Sequence, residues 1–148
     1  MTLKEQILED IKTYMKEKDQ VSLNAVRMLK SDIKTAEVAS TPVKELDDDA
    51  VIKIVMTNIK KRRDSIEIYE KNGRQELADK ELAEIKALEK YLPAQLSDDD
   101  IKKIITEVVD SLEDANKKNF GMVMKAVMAK VTGQAEGKHV SELIKSLI

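Results

Sequence analysis

The chain offers few side chains that could carry out chemistry. It has one histidine, His139, and no cysteine, which excludes thiolate nucleophiles, disulfides, cysteine-ligated metal sites and any metal site with two histidine ligands. A histidine that acts as a base needs a partner within hydrogen-bond reach, and no serine or aspartate spacing marks one for His139. We therefore expect His139 at the surface and predict no catalytic residue.

Two runs of three aspartates are the next candidates, because carboxylates bind hard metal cations. Residues 47–49 and 98–100 each lie where a helix is predicted to begin. Successive residues on a helix point about 100° apart, so one run cannot surround a single cation. Acidic side chains in a first turn also stabilise the positive end of the helix dipole. We interpret both runs as helix starts and predict neither a metal site nor a cofactor.

A run of four basic residues, 60–63, spreads around most of a helix circumference and does not form one patch. Arg62 falls on the apolar stripe of its helix, where we expect it to be partly buried against a carboxylate. A phosphate contact is the alternative role. Arg62 and Arg63 are therefore kept as candidate RNA-binding residues.

The distribution of charge near the C-terminus is a further signal. Residues 97–114 contain two basic and seven acidic residues, whereas residues 115–148 contain six lysines and two glutamates, a net charge of +4. A glycine-containing loop that opens a helix presents backbone N–H groups to phosphate, and nearby lysines add positive charge. A merely solubilising role is the alternative. The candidate RNA contacts here are Lys117, Lys118, Lys125 and Lys138.

Helices must position these residues, because the composition disfavours sheets. Aromatic residues make up 3% of the chain, and only 4 glycines and 2 prolines are available for turns. Apolar residues recur at helical spacing in seven segments, interrupted near residues 19–20, 40–42, 72–73, 93–96, 116–119 and 132–137. The sequence predicts an all-α protein with an N-terminal domain of helical hairpins, 1–92, and a small three-helix C-terminal domain, 97–148.

Helix boundaries and buried faces follow from the same pattern. Ser97 with Asp100 predicts a capping box at the start of the C-terminal domain. Met122 lies off the apolar stripe of the sixth helix and is expected at the surface. The fourth helix is predicted to end at Pro93 and to bury Leu77, Leu82, Ile85, Leu88 and Leu92.

The cellular compartment is predicted from what the sequence lacks. No apolar run approaches the roughly 20 residues that span a membrane, and the first residues have no apolar segment typical of a secretory signal. The formal net charge of −2 excludes a strongly basic nucleic-acid protein but allows a local basic face. These features predict a cytoplasmic protein with no membrane partner and no DNA partner.

Five short blocks, in order along nearly the whole chain, resemble the YqeY family. They are Arg27-Met28-Leu29-Lys30, Lys61-Arg62-Arg63-Asp64-Ser65-Ile66, Tyr91-Leu92-Pro93-Ala94-Gln95-Leu96-Ser97, Gly121-Met122-Val123-Met124 with Val127-Met128, and Gly133-Gln134-Ala135-Glu136-Gly137. From about Ser97 onward the sequence also resembles the helical tail domain of the GatB subunit of the glutamyl/aspartyl-tRNA amidotransferase. The resemblance implies an all-α fold and a C-terminal domain of a kind that helps to hold tRNA.

The resemblance also brings a family label, carbon–nitrogen ligase with glutamine as the amido donor. The large catalytic region of the amidotransferase has no counterpart in these 148 residues, and a tail domain positions a substrate without performing the transfer. We therefore predict a non-catalytic accessory protein that binds tRNA or tRNA-like RNA. The alternative is a protein–protein adaptor that docks on an amidotransferase or an aminoacyl-tRNA synthetase, with binding that depends much less on salt.

Overall fold

Seven α-helices and one turn of 3₁₀ helix make up the secondary structure of the computed structural model, which describes residues 1–148. They are α1 Leu3–Glu17, α2 Gln20–Val38, α3 Asp48–Lys71, α4 Gln75–Glu89, α5 Asp98–Ser111, the 3₁₀ turn Asp114–Asn116, α6 Phe120–Val131 and α7 Gly137–Leu147. No strand is present, so the predicted all-α fold is confirmed. The combination of length and apolar composition that spans a membrane is found in none of these helices.

Side chains at the helix starts satisfy backbone N–H groups that have no partner within the helix. At α1, the Thr2 hydroxyl accepts from the Glu5 N–H while the Glu5 carboxylate accepts from the Thr2 N–H, a complete capping box. At α5, the Ser97 hydroxyl accepts from the Asp100 N–H at 3.2 Å, but the predicted return bond is absent. Aspartate is one methylene shorter than glutamate, which explains why only half of that box forms.

The chain forms two compact units, Met1–Leu92 and Pro93–Ile148, here called the N-terminal and C-terminal units. In the N-terminal unit, α2 packs against α1, α3 and α4. Its core side chains are mainly aliphatic and fully buried, among them Val26, Leu29, Val51, Val55, Ile85 and Leu88. Helices α3 and α4 form a long hairpin that turns at Gly73, whose φ of +70° lies in the left-handed region that favours glycine.

The fourth helix differs from the predicted one. It ends at Glu89 because the ring of Pro93 would clash with the Glu89 carbonyl in a continued helix. Leu82 lies on an exposed side, and two alanines, Ala78 and Ala87, line the buried side instead. A stripe drawn only from large apolar residues overlooks alanines, which let the backbones of packed helices approach closely.

The C-terminal unit packs α6 against both α5 and α7. Each helix contributes one apolar stripe to a separate core, which includes Ile101, Ile105, Val108, Val123, Val127, Val140 and Ile144. The spacing of these residues is the 3.6-residue period read from the sequence. The three helices therefore enclose a core that contains no residue of the N-terminal unit.

The segment before α5 is fixed to the loop between α6 and α7. The Leu96 N–H donates to the Gln134 carbonyl at 2.9 Å, and the Gln95 side-chain amide donates to the Gly133 carbonyl at 2.8 Å. Gly133 is buried and has a φ of +80°, which favours glycine at this turn. Residues 95 and 96 therefore belong structurally to the C-terminal unit.

A fragment of residues 93–148 is expected to be more stable than a fragment of residues 97–148. The longer fragment keeps the hydrogen bonds of Gln95 and Leu96, each worth about 0.5–1.5 kcal/mol, and the packing of Leu96 on the core. We expect its free energy of unfolding in urea, followed by circular dichroism, to be about 1–3 kcal/mol larger. Marginal stability is expected for both fragments, because a unit of this size is near the lower limit for independent folding.

Equal unfolding midpoints for the two fragments would contradict the role assigned to this segment. The absence of a cooperative transition in both fragments would instead contradict independent folding of the C-terminal unit.

Candidate nucleic-acid interface

Lys117 and Lys118 lie between the 3₁₀ turn and α6. Lys118 is exposed, and Lys117 places its Nζ 3.2 Å from Asp114 Oδ1. The Asp114 side chain is 98% accessible to solvent, so this surface pair holds Lys117 only weakly. The first turn of α6 contains no acidic residue, so no carboxylate of this helix compensates its positive end. The start of α6 is therefore a positively charged part of the surface.

Lys125 extends this positive surface along the exposed face of α6. Val123 and Val127, two residues before and after it, are fully buried on the opposite face. Met122 lies on the same side as Lys125 and is 41% exposed, which confirms the prediction for this methionine. Gly121 is also exposed, so the face presents a lysine, a methionine and accessible backbone near the helix start.

The start of α7 is less suited to phosphate than the sequence predicts. Glu136 occupies the N-cap position, and Asp98 lies beside the first turn, with its Oδ1 2.6 Å from His139 Nε2. Two carboxylates thus stand near the N–H groups that were expected to hold an anion, and like charge opposes phosphate there. Lys138 is exposed, two residues after Glu136 and directly before His139, whose ring contacts Asp98.

His139 has a partner that the sequence did not reveal. The ring is half exposed and contacts the Asp98 carboxylate at the start of α5, 41 residues away in the chain. The pair joins the first turns of α5 and α7. A sequence pattern shows only neighbours along one helix, so it gives no signal for a contact between two helix starts. No group of three histidine, aspartate or glutamate side chains is arranged to hold a metal ion.

Phe120, the one aromatic residue of the C-terminal unit, is not an open stacking platform. Its ring packs against the apolar core, and the Lys145 ammonium lies 5.6 Å from the ring centroid. This cation–π contact covers part of the ring surface. Recognition by base stacking therefore has little support in this unit.

Arg62 lies inside the N-terminal unit, as its position on the apolar stripe predicts. It is 7% exposed, and its Nη1 contacts the Glu84 carboxylate and, at 3.0 Å, the Glu81 carboxylate. Its Nη2 donates to the Met28 sulfur at 3.5 Å. The guanidinium is therefore engaged by α2 and α4 and is not accessible to a phosphate.

Arg63, by contrast, lies at the surface and contacts Glu89 at 3.4 Å. Its side chain is 41% accessible, so this pair contributes little to stability. The two arginines that follow each other in the sequence thus have different surroundings. The structure does not bring either of them together with the lysines of α6 in one unit.

A polar cluster in the N-terminal unit had no signal in the sequence. Asp10 is 7% exposed and accepts from the Tyr91 hydroxyl and, at 3.0 Å, from the Gln6 amide. The Lys90 ammonium lies 2.9 Å from the same carboxylate and 3.1 Å from the Tyr14 hydroxyl. Asp10 and Tyr91 are 81 residues apart, and their contact ties the end of the α3–α4 hairpin to α1.

The cluster shifts the protonation of its members. Burial raises the pKa of Asp10, but the hydrogen bonds from Tyr91, Lys90 and Gln6 outweigh it, so the pKa of this carboxyl lies below its ordinary value. Burial and the adjacent Asp10 carboxylate raise the pKa of Tyr91. Asp10 is therefore charged and Tyr91 neutral at pH 7, the states in which the hydroxyl donates to the carboxylate. The arrangement stabilises the fold and offers no reactive phenolate.

The chain matches a known protein family and is similar to fungal proteins. The family described as Yqey-like protein matches residues 4–148. A protein named "Altered inheritance of mitochondria protein 41, mitochondrial" from Pyrenophora tritici-repentis is 27% identical over 143 residues, covering 94% of this chain and 77% of that protein. The protein of the same name from Vanderwaltozyma polyspora is 34% identical over 143 residues, covering 95% and 76%.

A shorter similarity connects the chain with an amidotransferase. One subunit of a glutamyl-tRNA(Gln) amidotransferase from Sulfurisphaera tokodaii is 39% identical over 62 residues, covering 39% of this chain and 10% of that protein. By its name this subunit is a different one from GatB, whose tail domain the C-terminal sequence resembles. Only a small part of that protein is similar to this chain.

The fungal names contradict the cytoplasmic location predicted from the sequence. These relatives are named as mitochondrial proteins, which points to mitochondria and not to the cytoplasm. The prediction was wrong because it rested on composition and on missing membrane segments. A helical protein with a charged surface suits any aqueous compartment, so these properties do not distinguish one compartment from another.

Replacing Arg62 with methionine is expected to destabilise the protein by about 3 kcal/mol, because Glu84 would remain buried without its cation. The matched control is Arg63→Met, which removes an exposed pair and should cost less than about 1 kcal/mol. Urea unfolding of both variants measures the difference. A cost for Arg62→Met no larger than that for Arg63→Met would contradict the importance of the buried pair.

Replacing Asp10 with asparagine is expected to lower the free energy of unfolding by about 1.5–3 kcal/mol at pH 7, the worth of hydrogen bonds to a charged group. Since the pKa of Asp10 is lowered by folding, its contribution is present above the pKa of the unfolded chain, about 3.9, and is lost at lower pH. The difference between the two proteins should therefore shrink between about pH 4 and pH 2.

The measurement is urea unfolding of parent and variant at several pH values. The same carboxyl-to-amide change at exposed Asp32 should alter the unfolding free energy at pH 7 by less than about 0.5 kcal/mol. A difference between parent and Asp10→Asn that stays constant down to about pH 2 would contradict a lowered pKa of Asp10.

Proposed function

The chain belongs to the family of Yqey-like proteins, and we propose that it is a non-catalytic accessory protein that binds tRNA or a tRNA-like RNA through its C-terminal unit. The observation that carries the proposal is the start of α6. Lys118 precedes the helix, Lys125 lies on its exposed face, and no acidic residue in the first turn offsets the positive helix end. Phosphate groups are the ligands that such a surface attracts.

The amidotransferase similarity supports RNA as the source of those phosphates. The name of that relative contains a tRNA substrate, and 39% of this chain is similar to it. The similarity covers only 10% of the relative, which is too small a part to support the enzymatic activity of the whole protein. The similarity therefore supports tRNA binding by this chain but does not support amide transfer.

The expected contacts differ in strength. Lys118 and Lys125 are the principal ones, and Lys117 joins them once it leaves the exposed Asp114. Lys138 contributes less because the carboxylates of Glu136 and Asp98 lie at the start of α7. Lysines contact phosphate as point charges, and little aromatic surface is accessible, so binding should be sequence-tolerant.

An adaptor function is the second candidate, and the exposed Met122 favours it. A methionine 41% exposed beside Lys125 is suited to packing against a protein partner. The partner would be an amidotransferase or an aminoacyl-tRNA synthetase. Apolar docking depends weakly on salt, whereas phosphate binding weakens linearly with the logarithm of the salt concentration.

The test is binding of the full chain to an unmodified tRNA transcript, followed by fluorescence anisotropy at 50–200 mM salt. We expect a Kd in the micromolar range or weaker that rises steeply with salt. The double variant Lys118→Glu, Lys125→Glu should bind at least about tenfold more weakly at the lowest salt concentration, because two cations become anions. Circular dichroism should show unchanged helical content.

The matched control is Lys102→Glu, Lys103→Glu on α5, which changes the total charge by the same amount outside the proposed surface. It should weaken binding by less than about threefold, through long-range charge alone. No binding by the parent at the lowest salt concentration, or equal effects of the two double variants, would contradict the RNA function and favour the adaptor.

A further inference from the structure

The outward face of α2 carries a row of cations. Arg27, Lys30 and Lys34 are all exposed, at positions i, i+3 and i+7 of the helix. Residues at this spacing share one face and span about 10 Å at the 1.5 Å rise per residue. Ser31 lies between them on the same side and is also exposed. The face therefore presents three positive charges along two helical turns.

Helix α2 contains two acidic residues, and only Glu37, at its C-terminal end, lies near that face. Asp32 projects about 140° away from Arg27 around the helix axis. Glu37 turns toward α1 and the loop after α2, where its carboxylate accepts from the Lys4 ammonium at 2.6 Å and from the Leu46 N–H at 2.9 Å. The hydrogen bond from Lys4 is the largest cause of the lowered pKa of Glu37, and the charge of Lys34 lowers this pKa by a smaller amount. Lys34 therefore has Glu37 as a neighbour at the end of the row, whereas Arg27 and Lys30 have no carboxylate of α2 within one turn on this face.

The helices beside α2 have a different charge pattern. On α1, both lysines and glutamates are exposed, and Lys12 contacts Glu9 at 3.5 Å. On α4, the exposed residues Asp79, Lys80, Lys86 and Glu89 likewise include both signs of charge. Mixed charges of this kind are the ordinary solvated surface of a helix. A row of three cations with a single carboxylate, Glu37, at its end differs from this mixed pattern.

We propose that Arg27, Lys30 and Lys34 form a second phosphate-contacting surface, through which the N-terminal unit binds the backbone of the same RNA. This inference rests on the proposed function. The Arg27 guanidinium can donate two parallel hydrogen bonds to one phosphate, and the lysines add point charges. The surface has no aromatic side chain, so it binds backbone without reading sequence.

A protein partner fits this face less well. Interfaces between proteins depend on a few apolar or aromatic anchors near their centre, and the residues between Arg27 and Lys34 on this face provide none. The exposed large apolar residues of α2 are Met28, whose sulfur accepts from Arg62, and Val38, which lies one turn beyond Lys34. The chemistry of the face is therefore that of a polyanion site.

The test uses the full chain with Arg27→Glu, Lys30→Glu and Lys34→Glu together. The matched control is Lys16→Glu, Lys80→Glu and Lys86→Glu, three exposed lysines of α1 and α4. Binding to an unmodified tRNA transcript is followed by anisotropy from 50 to 200 mM salt. The α2 variant should bind at least about tenfold more weakly, and its log–log salt slope should be shallower by about two units, because each lost phosphate contact removes about 0.7–0.9. The control should weaken binding less than about threefold.

The outcomes separate this inference from the function on which it rests. If the parent binds and the α2 variant matches the control, the inference is wrong while the RNA function stands. If the parent does not bind, both are wrong. If the α2 variant loses binding but Lys118→Glu, Lys125→Glu keeps it, the inference stands and the assignment of RNA binding to the C-terminal unit is wrong.

A folding defect is distinguished by circular dichroism and by a milder variant, Arg27→Gln, Lys30→Gln, Lys34→Gln. Neutral side chains introduce no new repulsion between helices. This variant should show the same shallower salt slope with native helical content. An unchanged slope in the glutamine variant would overturn the inference even if the glutamate variant fails to fold.

Discussion

The buried guanidinium of Arg62 imposes a strict requirement on the N-terminal unit. A charge removed from water must be paired and hydrogen-bonded, and here the partners are Glu84 and Glu81 on α4 and the Met28 sulfur on α2. Three helices must therefore meet with one rotation and one register. Met28 and Arg27 are successive residues about 100° apart on α2, and the rotation of α2 that brings the Met28 sulfur to Arg62 leaves Arg27 exposed.

The sequence blocks that resemble the YqeY family owe much of their pattern to these interior contacts. The first two blocks meet where Arg62 donates to Met28. The third and fifth meet where the Leu96 N–H donates to the Gln134 carbonyl. The resemblance therefore identifies the fold more directly than a reaction. Residues of these blocks with no packing role, such as exposed Arg27, are where function has to be sought.

The elements of the fold could be predicted because helical periodicity and capping residues are local properties. The burial of Arg62 also followed from its place on an apolar stripe. Contacts between distant residues could not be predicted, because the apolar stripe of a helix shows which face is buried but not which residues pack against that face. The pairing of Asp10 with Tyr91 and of His139 with Asp98 depends on packing across the unit. The same limit explains the start of α7, where a loop expected to attract phosphate lies beside two carboxylates.

The segment between the two units is short and is held at both ends. Tyr91 is bound to α1 through Asp10, and Gln95 is bound to the loop before α7, which leaves residues 92–94 between the two anchors. Three residues extend at most about 11 Å. Surfaces joined by so short a tether encounter a common ligand at a high effective concentration, of millimolar order. The two proposed RNA-contacting surfaces would then act as one avid binder, and a single proteolytic cut at residues 92–94 would abolish the avidity without removing a contact residue.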